Sequence, residues 1–160
     1  MSGATRPRWL IFGVGNPSRG DDALGPMLVE KVDAWRQTHE PPVDLTLLTD
    51  FQWQIEHALD LRDIDVALFV DASRADGEPV SISRLAPRFD ATHSTHALSP
   101  ACVLAVAEKI GLKAPQAWIV AVAGEDFGLG APLSDLARRA FDSAYDRLLG
   151  AVIAGDVTAT

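Results

Sequence analysis

The chain has 160 residues, of which 48% are hydrophobic, so it is long and apolar enough to bury a substantial core. Its formal net charge is −8 and its Lys and Arg residues are scattered, which excludes a basic stripe able to neutralise a nucleic-acid backbone. The single cysteine, Cys102, excludes an internal disulfide and a multi-cysteine zinc site, and it fits a reducing compartment.

Strand and helix patterns alternate along the chain. A first strand is predicted at 9–12, and a glycine-rich turn separates it from a helix at 22–37 with near-helical apolar spacing. A second strand at 43–48 and a short helix at 54–61 follow. The next strand, at 66–70, is a continuous apolar run typical of a strand buried on both faces of a parallel sheet.

The second half of the chain continues this alternation. Ser99 is predicted as the N-cap of a helix that has Pro100 at its first position and stops at Gly111, and Ser134 is predicted as the cap of the last helix. The predicted elements are an edge strand at 80–85, a helix at 98–110, a strand at 117–122, a helix from 134 to about 153, and a disordered end at 155–160.

This order of elements predicts an α/β fold. We expect a three-layer sandwich, in which a twisted, mostly parallel sheet of about five strands carries helices on both faces. Sites in such sheets lie outside the carboxyl ends of the strands. The polar residues expected along that edge are Asp21, Asp22, Asp71, Glu125 and Asp126, and the loop residues His93 and His96 could reach it.

The chain is also expected to be a cytosolic protein of one domain. Its N-terminus is too polar for a signal peptide, and no apolar run approaches the roughly 20 residues that a membrane helix needs. The single domain spans residues 1–160, with an ordered core from about 8 to 153. We expect a monomer.

The glycine turn after the first strand is the most informative stretch, and it reads Gly-Val-Gly-Asn-Pro-Ser-Arg-Gly-Asp-Asp-Ala-Leu-Gly-Pro over 13–26. It resembles a dinucleotide-binding fingerprint without its third glycine. The adjacent Asp21 and Asp22 would repel phosphate, so a nucleotide-binding domain is a disfavoured alternative. One of the two is expected to cap a helix, and Asp22 is the better candidate for a site.

Three further side chains have chemistry that suits the same edge. Asp71 directly follows the buried third strand, with a simple turn residue as the alternative reading. His93 and His96 lie three residues apart before a capped helix. Two carboxylates and an imidazole suit a first-row divalent ion, or general acid–base catalysis. His39 and His57 are interpreted as structural or exposed, and Cys102 as a core residue.

Three motifs together resemble the [NiFe]-hydrogenase maturation proteases. The motifs are Gly13-Val-Gly-Asn16 with Gly20-Asp-Asp-Ala-Leu-Gly-Pro26, then Val66-Ala-Leu-Phe-Val-Asp71-Ala72, then Ser94-Thr-His96-Ala-Leu98 before a helix. Their order and intervals are similar to those of the family over residues 9–150. The resemblance implies an endopeptidase that removes a C-terminal extension from the large-subunit precursor of a [NiFe] hydrogenase after nickel insertion.

The resemblance also implies the site. The family's metal-contacting and catalytic residues correspond to Asp22, Asp71 and His96. The nickel is then carried by the substrate, no cofactor is permanently bound, and the partner is the large-subunit precursor. A non-catalytic metal-handling or hydrogenase-assembly factor, using the same three residues, is the alternative function. No role is assigned to Glu125, Asp126 or His93.

The turn after the second strand departs from the glycine-rich turn of many family members. It reads Thr-Asp-Phe-Gln-Trp-Gln-Ile-Glu over 49–56, so the hydrogenase that is served is not indicated. Its bulky Phe51 and Trp53 could be core residues or an exposed docking patch. We expect the docking patch, because exposed aromatic side chains often anchor protein partners.

Overall fold

Five strands form one sheet in the computed structural model, which describes residues 5–89 and 98–159. The strands are β1 (Arg8–Val14), β2 (Asp44–Asp50), β3 (Val66–Arg74), β4 (Val80–Leu85) and β5 (Gln116–Gly124). The α-helices are α1 (Leu24–Arg36), α2 (Pro100–Lys109) and α3 (Asp135–Ala154), and 3₁₀ helices cover Gly20–Ala23, Ile55–Leu61 and Val157–Ala159.

The strand order across the sheet is β2-β1-β3-β5-β4. The first four strands in this order run parallel, and β4 pairs antiparallel with β5 at one edge. The predicted α/β class, the mostly parallel sheet and the edge position of β4 are therefore confirmed.

Helices cover both faces of the sheet because side chains alternate between the faces along each buried strand. Trp9 and Ile11 of β1 pack with the apolar sides of α1 and α3. Leu10 and Phe12 pack on the other face, with α2 and the 3₁₀ helix Ile55–Leu61. Each face thus has its own apolar core, which gives the predicted three layers.

The predicted helix and strand ends are shifted around the carboxyl edge. The first helix starts as the 3₁₀ turn Gly20–Ala23, and the short helix after β2 is entirely 3₁₀. Asp71 was expected to end the third strand, but β3 continues to Arg74 because β5 stays paired with it as far as Gly124. Pairing of β3 with β1 stops earlier, at Gly13 and Val70. Asp71 therefore lies one residue beyond the paired part of β1 and β3, at the carboxyl edge of the sheet.

The two predicted serine caps are confirmed. The Ser99 hydroxyl accepts a hydrogen bond from the Cys102 amide at 3.1 Å, and Ser134 does the same for Ala137 at 3.1 Å. Cys102 lies in the core, as expected. No helix among the described residues is long and apolar enough to cross a membrane.

The end of the chain differs from the predicted disorder. Gly155 ends α3 in the left-handed conformation, with φ of 64°. The chain then turns back, and Val157 is buried against the α1–α3 core. The predicted disorder overlooked Val157 as an apolar side chain that can pack on the core.

Candidate functional site

Glycines bring the start of α1 against the ends of the central strands. A Cβ atom on Gly13 would lie 2.5 Å from the carbonyl oxygen of Gly25, and one on Gly25 would lie 2.5 Å from that of Val14. Gly15 has φ of 149°, and its Cβ would lie 1.8 Å from the Asp22 carbonyl oxygen. Since these neighbours are backbone atoms, no larger residue fits. The glycines therefore serve close packing that presents Asp22 at the edge of the sheet.

Asp22 is held in place by the turn that precedes it. Its Oδ2 accepts a hydrogen bond from the Asn16 amide at 2.7 Å, and Asn16 Oδ1 in turn accepts one from the Ser18 amide at 2.9 Å. The carboxylate remains partly exposed. Neither the 3₁₀ turn nor α1 has a side-chain cap, so the expectation that Asp21 or Asp22 caps this helix is wrong.

Asp71 lies close enough to Asp22 for the two charges to interact. Burial, and then the negative charge of Asp22, raise the pKa of Asp71 from 3.8 to about 7, although a hydrogen bond from the Ala72 amide opposes this. The fold thus brings together two of the three predicted site residues, from β3 and from the turn after β1. An acid with this pKa exchanges protons near neutral pH.

The third predicted residue, His96, lies outside the described residues, as does His93. Both precede α2, whose described approach begins at Leu98. Within residues 5–89 and 98–159, no group of three His, Cys, Asp or Glu side chains is arranged to hold a metal ion. The described part of the candidate site is therefore the carboxylate pair of Asp22 and Asp71.

Asp21 has a different role from its neighbour. Its carboxylate is fully buried and accepts four hydrogen bonds, from the amides of Glu125 (2.8 Å), Asp126 (3.0 Å) and Ser134 (2.8 Å) and from the Ser134 hydroxyl (2.7 Å). Burial alone would raise the pKa of Asp21, but these hydrogen bonds outweigh it and hold the pKa below 3.8. Asp21 thereby fastens the loop after β5 to the loop that carries Asp22.

The backbone of this region completes the connection between the two loops. The Asp21 amide donates to the Asp126 carbonyl oxygen at 2.8 Å, and the Gly130 amide donates to the Ser18 carbonyl oxygen at 2.7 Å. The side chains of Glu125 and Asp126 are exposed. Their main chains, rather than their carboxylates, thus contact the Asp21–Asp22 turn.

The end of β2 forms a second polar cluster. Asp50 accepts a hydrogen bond from the Phe51 amide at 2.7 Å and contacts Nε2 of His57 at 3.0 Å. Because Nδ1 of His57 accepts from the Gln54 amide at 2.9 Å, the proton lies on Nε2 and is donated to Asp50. His57 is buried and organises this turn, which confirms its structural interpretation.

The two aromatic residues of this turn differ in burial. Trp53 is only 6% exposed and packs edge to face on Phe12 and Phe69, with centroids 5.2 Å away in each case. Its expected place in an exposed docking patch is therefore wrong, because the turn folds back over the α2 face of the sheet. Phe51 is 67% exposed, so it alone of the pair is available to a partner.

Comparisons with known proteins relate the chain to one group of solved structures. No protein-family model matches it, and no curated protein sequence matches it significantly. The hydrogenase maturating endopeptidase HybD from E. coli is 24% identical with a TM-score of 0.72, covering 92% of this chain and 93% of that one.

Two archaeal structures are similar as well. The [NiFe] hydrogenase maturation protease HycI from Thermococcus kodakarensis is 23% identical with a TM-score of 0.69, covering 96% of this chain and 95% of that one. A hydrogenase 2 maturation peptidase from a Thaumarchaeota archaeon is 24% identical with a TM-score of 0.60, covering 90% and 97%. Over nearly its whole length, the chain therefore has the fold of these hydrogenase maturation endopeptidases, as its motifs suggested.

Proposed function

We propose that this protein is an endopeptidase that removes a C-terminal extension from the nickel-loaded large-subunit precursor of a [NiFe] hydrogenase. The observation that carries the proposal is that Asp22 and Asp71, at the carboxyl edge of the sheet, lie close enough for the charge of Asp22 to raise the pKa of Asp71. These are the acids of the two motifs that resemble the family, and the surrounding fold is that of hydrogenase maturation endopeptidases. We expect it to act in the cytosol, as a monomer.

The two carboxylates suit recognition of a metal that arrives with the substrate. Carboxylate oxygens, with the imidazole of His96 as the expected third donor, form a mixed set that accepts a first-row divalent ion. A precursor that carries nickel would satisfy this set, whereas an empty precursor would leave two like charges facing each other. The metal contact would also hold the scissile peptide bond beside the carboxylates.

Asp71 is the acid that we expect to accept a proton. Burial is the larger cause of its raised pKa, and burial remains when a cation offsets the charge of Asp22. We propose that it takes the proton from the water that attacks the scissile carbonyl. The same proton would then leave with the new amino terminus of the released extension.

Cleavage of a nickel-loaded precursor tests the proposal. Mass spectrometry after incubation would show loss of the C-terminal extension with the wild-type protein. We expect Asp22→Asn, Asp71→Asn and His96→Gln to cleave on the order of a hundredfold more slowly. Glu125→Gln is the matched control, because its carboxylate is exposed and only its amide contacts Asp21.

The outcomes separate the alternatives. Near-normal cleavage by all three site variants would overturn the assignment of the site. A precursor that binds but keeps its extension would favour the non-catalytic metal-handling or assembly factor.

A further inference from the structure

β2 lies at the outer edge of the sheet and exposes main-chain hydrogen-bonding groups. Asp44 and Asp50 bond to the β1 side, through the Pro7 carbonyl oxygen and the Gly15 amide. In a parallel ladder, residues alternate between the two sides. Leu45, Leu47 and Thr49 therefore direct their amides and carbonyls away from the sheet.

Within the described residues, the covered part of this edge is its amino-terminal end, at Leu45. Arg36 donates to the Leu45 carbonyl oxygen and holds Asp33 Oδ1 at 2.8 Å. Among the described residues, the outward main-chain groups of Leu47 and Thr49 have no hydrogen-bonding partner. β2 also lacks the proline or bulge that commonly protects an edge strand. An extended segment could therefore pair with it next to the candidate site.

A groove runs along this open edge. One hollow of about 430 Å³ lies between Val29 and Glu30 of α1 and the outer side of Leu47 and Thr49. A second hollow of about 290 Å³ reaches Gly15 and Phe51. Both hollows are lined by Pro17, Pro26 and Thr49. Gly15 packs against the backbone of Asp22, so this end of the groove lies beside the turn that carries Asp22.

The charge of the groove indicates what would occupy it. Asp33 is paired with Arg36, whereas Glu30 is exposed and has no ion-pair partner in the described part of the chain. The groove is therefore net acidic, and it favours an extended segment with a Lys or Arg side chain facing Glu30.

We propose that the outer edge of β2 binds the C-terminal extension of the precursor as an added strand. This inference rests on the proposed function. Because the extension follows the scissile bond, it leaves the carboxyl edge of the sheet and runs toward the start of β2. It therefore pairs antiparallel to β2, with its main chain bonded to Leu47 and Thr49.

A proline at the open edge tests the pairing. Thr49→Pro removes an outward amide that β1 does not use, and edge strands tolerate proline at such positions. We expect kcat/KM for the nickel-loaded precursor to fall about tenfold through KM, because one or two substrate hydrogen bonds are lost. Thr49→Val, which keeps the amide and removes only the hydroxyl, is expected to stay within about twofold. Equal activity of the two variants would overturn the proposal.

Amide hydrogen exchange provides a measurement that does not depend on the folding of a proline variant. The Asp71→Asn protein, which would retain the extension, is mixed with the nickel-loaded precursor and with the same precursor lacking its extension, and size-exclusion chromatography first verifies that both complexes form. Exchange at Leu47 and Thr49 should slow at least about tenfold only with the extension present. Unchanged exchange, together with cleavage by the wild-type protein, would refute the docking edge but leave the proposed function intact. Absence of cleavage by the wild-type protein would remove both.

Discussion

Replacement of Asp71 by asparagine should stabilise the folded protein at neutral and alkaline pH. Burial and the charge of Asp22 raise the pKa of Asp71 to about 7, so the folded state holds a proton there that the unfolded chain releases above pH 3.8. Between these two values the folded state binds more protons than the unfolded state. The free energy of unfolding of the wild type therefore falls as pH rises through this window, and stays level above it.

The size of the effect follows from the pKa. One pKa unit corresponds to about 1.4 kcal/mol, so the ionised form of Asp71 costs the folded state about 4 kcal/mol above pH 7. About half of this cost develops between about pH 5.5 and about pH 8.5. An asparagine has no such titration. The stability difference between Asp71→Asn and wild type should therefore grow by about 2 kcal/mol in favour of the variant across that range.

Urea denaturation of both proteins at the two pH values measures this difference, since other titrating groups contribute equally to both. Asp22→Asn is an informative companion, because it removes only the charge contribution and leaves the burial of Asp71. We expect it to remove the smaller part of the pH dependence. Parallel stability curves for wild type and Asp71→Asn would refute the view that the fold raises the pKa of Asp71.

Four other substitutions test the structure around the site. Asp21→Asn places an amide group among four hydrogen-bond donors, so it should lower the free energy of unfolding by about 2–4 kcal/mol in urea titrations at neutral pH. Because the pKa of Asp21 lies below 3.8, that loss should shrink on acidification, as the wild-type carboxylate is protonated. Gly25→Ala should destabilise by about 1–3 kcal/mol, because its Cβ meets only backbone atoms of the two central strands. Trp53→Ala should cost about 3–5 kcal/mol in thermal or urea unfolding, whereas Phe51→Ala should change stability by less than about 0.5 kcal/mol.

The parts of the fold that the sequence predicts are those with a local signature. The apolar run at 66–70 is buried on both faces because parallel strands carry helices on both sides. Ser99 and Ser134 cap helices through contacts that span only three residues. The Gly-Asp-Asp turn also predicts an acid at the carboxyl edge of the sheet, and Asp22 lies there.

The parts that it does not predict depend on distant partners. The buried Asp21 carboxylate is bonded to residues more than a hundred positions away, so the local reading of this residue as a helix cap had no access to them. Trp53 lies in a polar turn, where an aromatic side chain suggests exposure. It is buried because it packs on Phe12 of β1 and Phe69 of β3. The length of β3 is likewise fixed by its partner β5.

The two neighbouring aspartates of the turn have different roles: Asp21 stabilises the fold, and Asp22 belongs to the candidate site. Asp21 has every carboxylate oxygen satisfied by donors, so its charge stabilises the junction of two loops. Burial and the charge of Asp22 instead make ionisation of Asp71 costly. A cation bound by both carboxylates would lower that cost, and the energy recovered would appear as binding affinity. Under the proposed function, that recovered energy is what distinguishes a nickel-loaded precursor from an empty one.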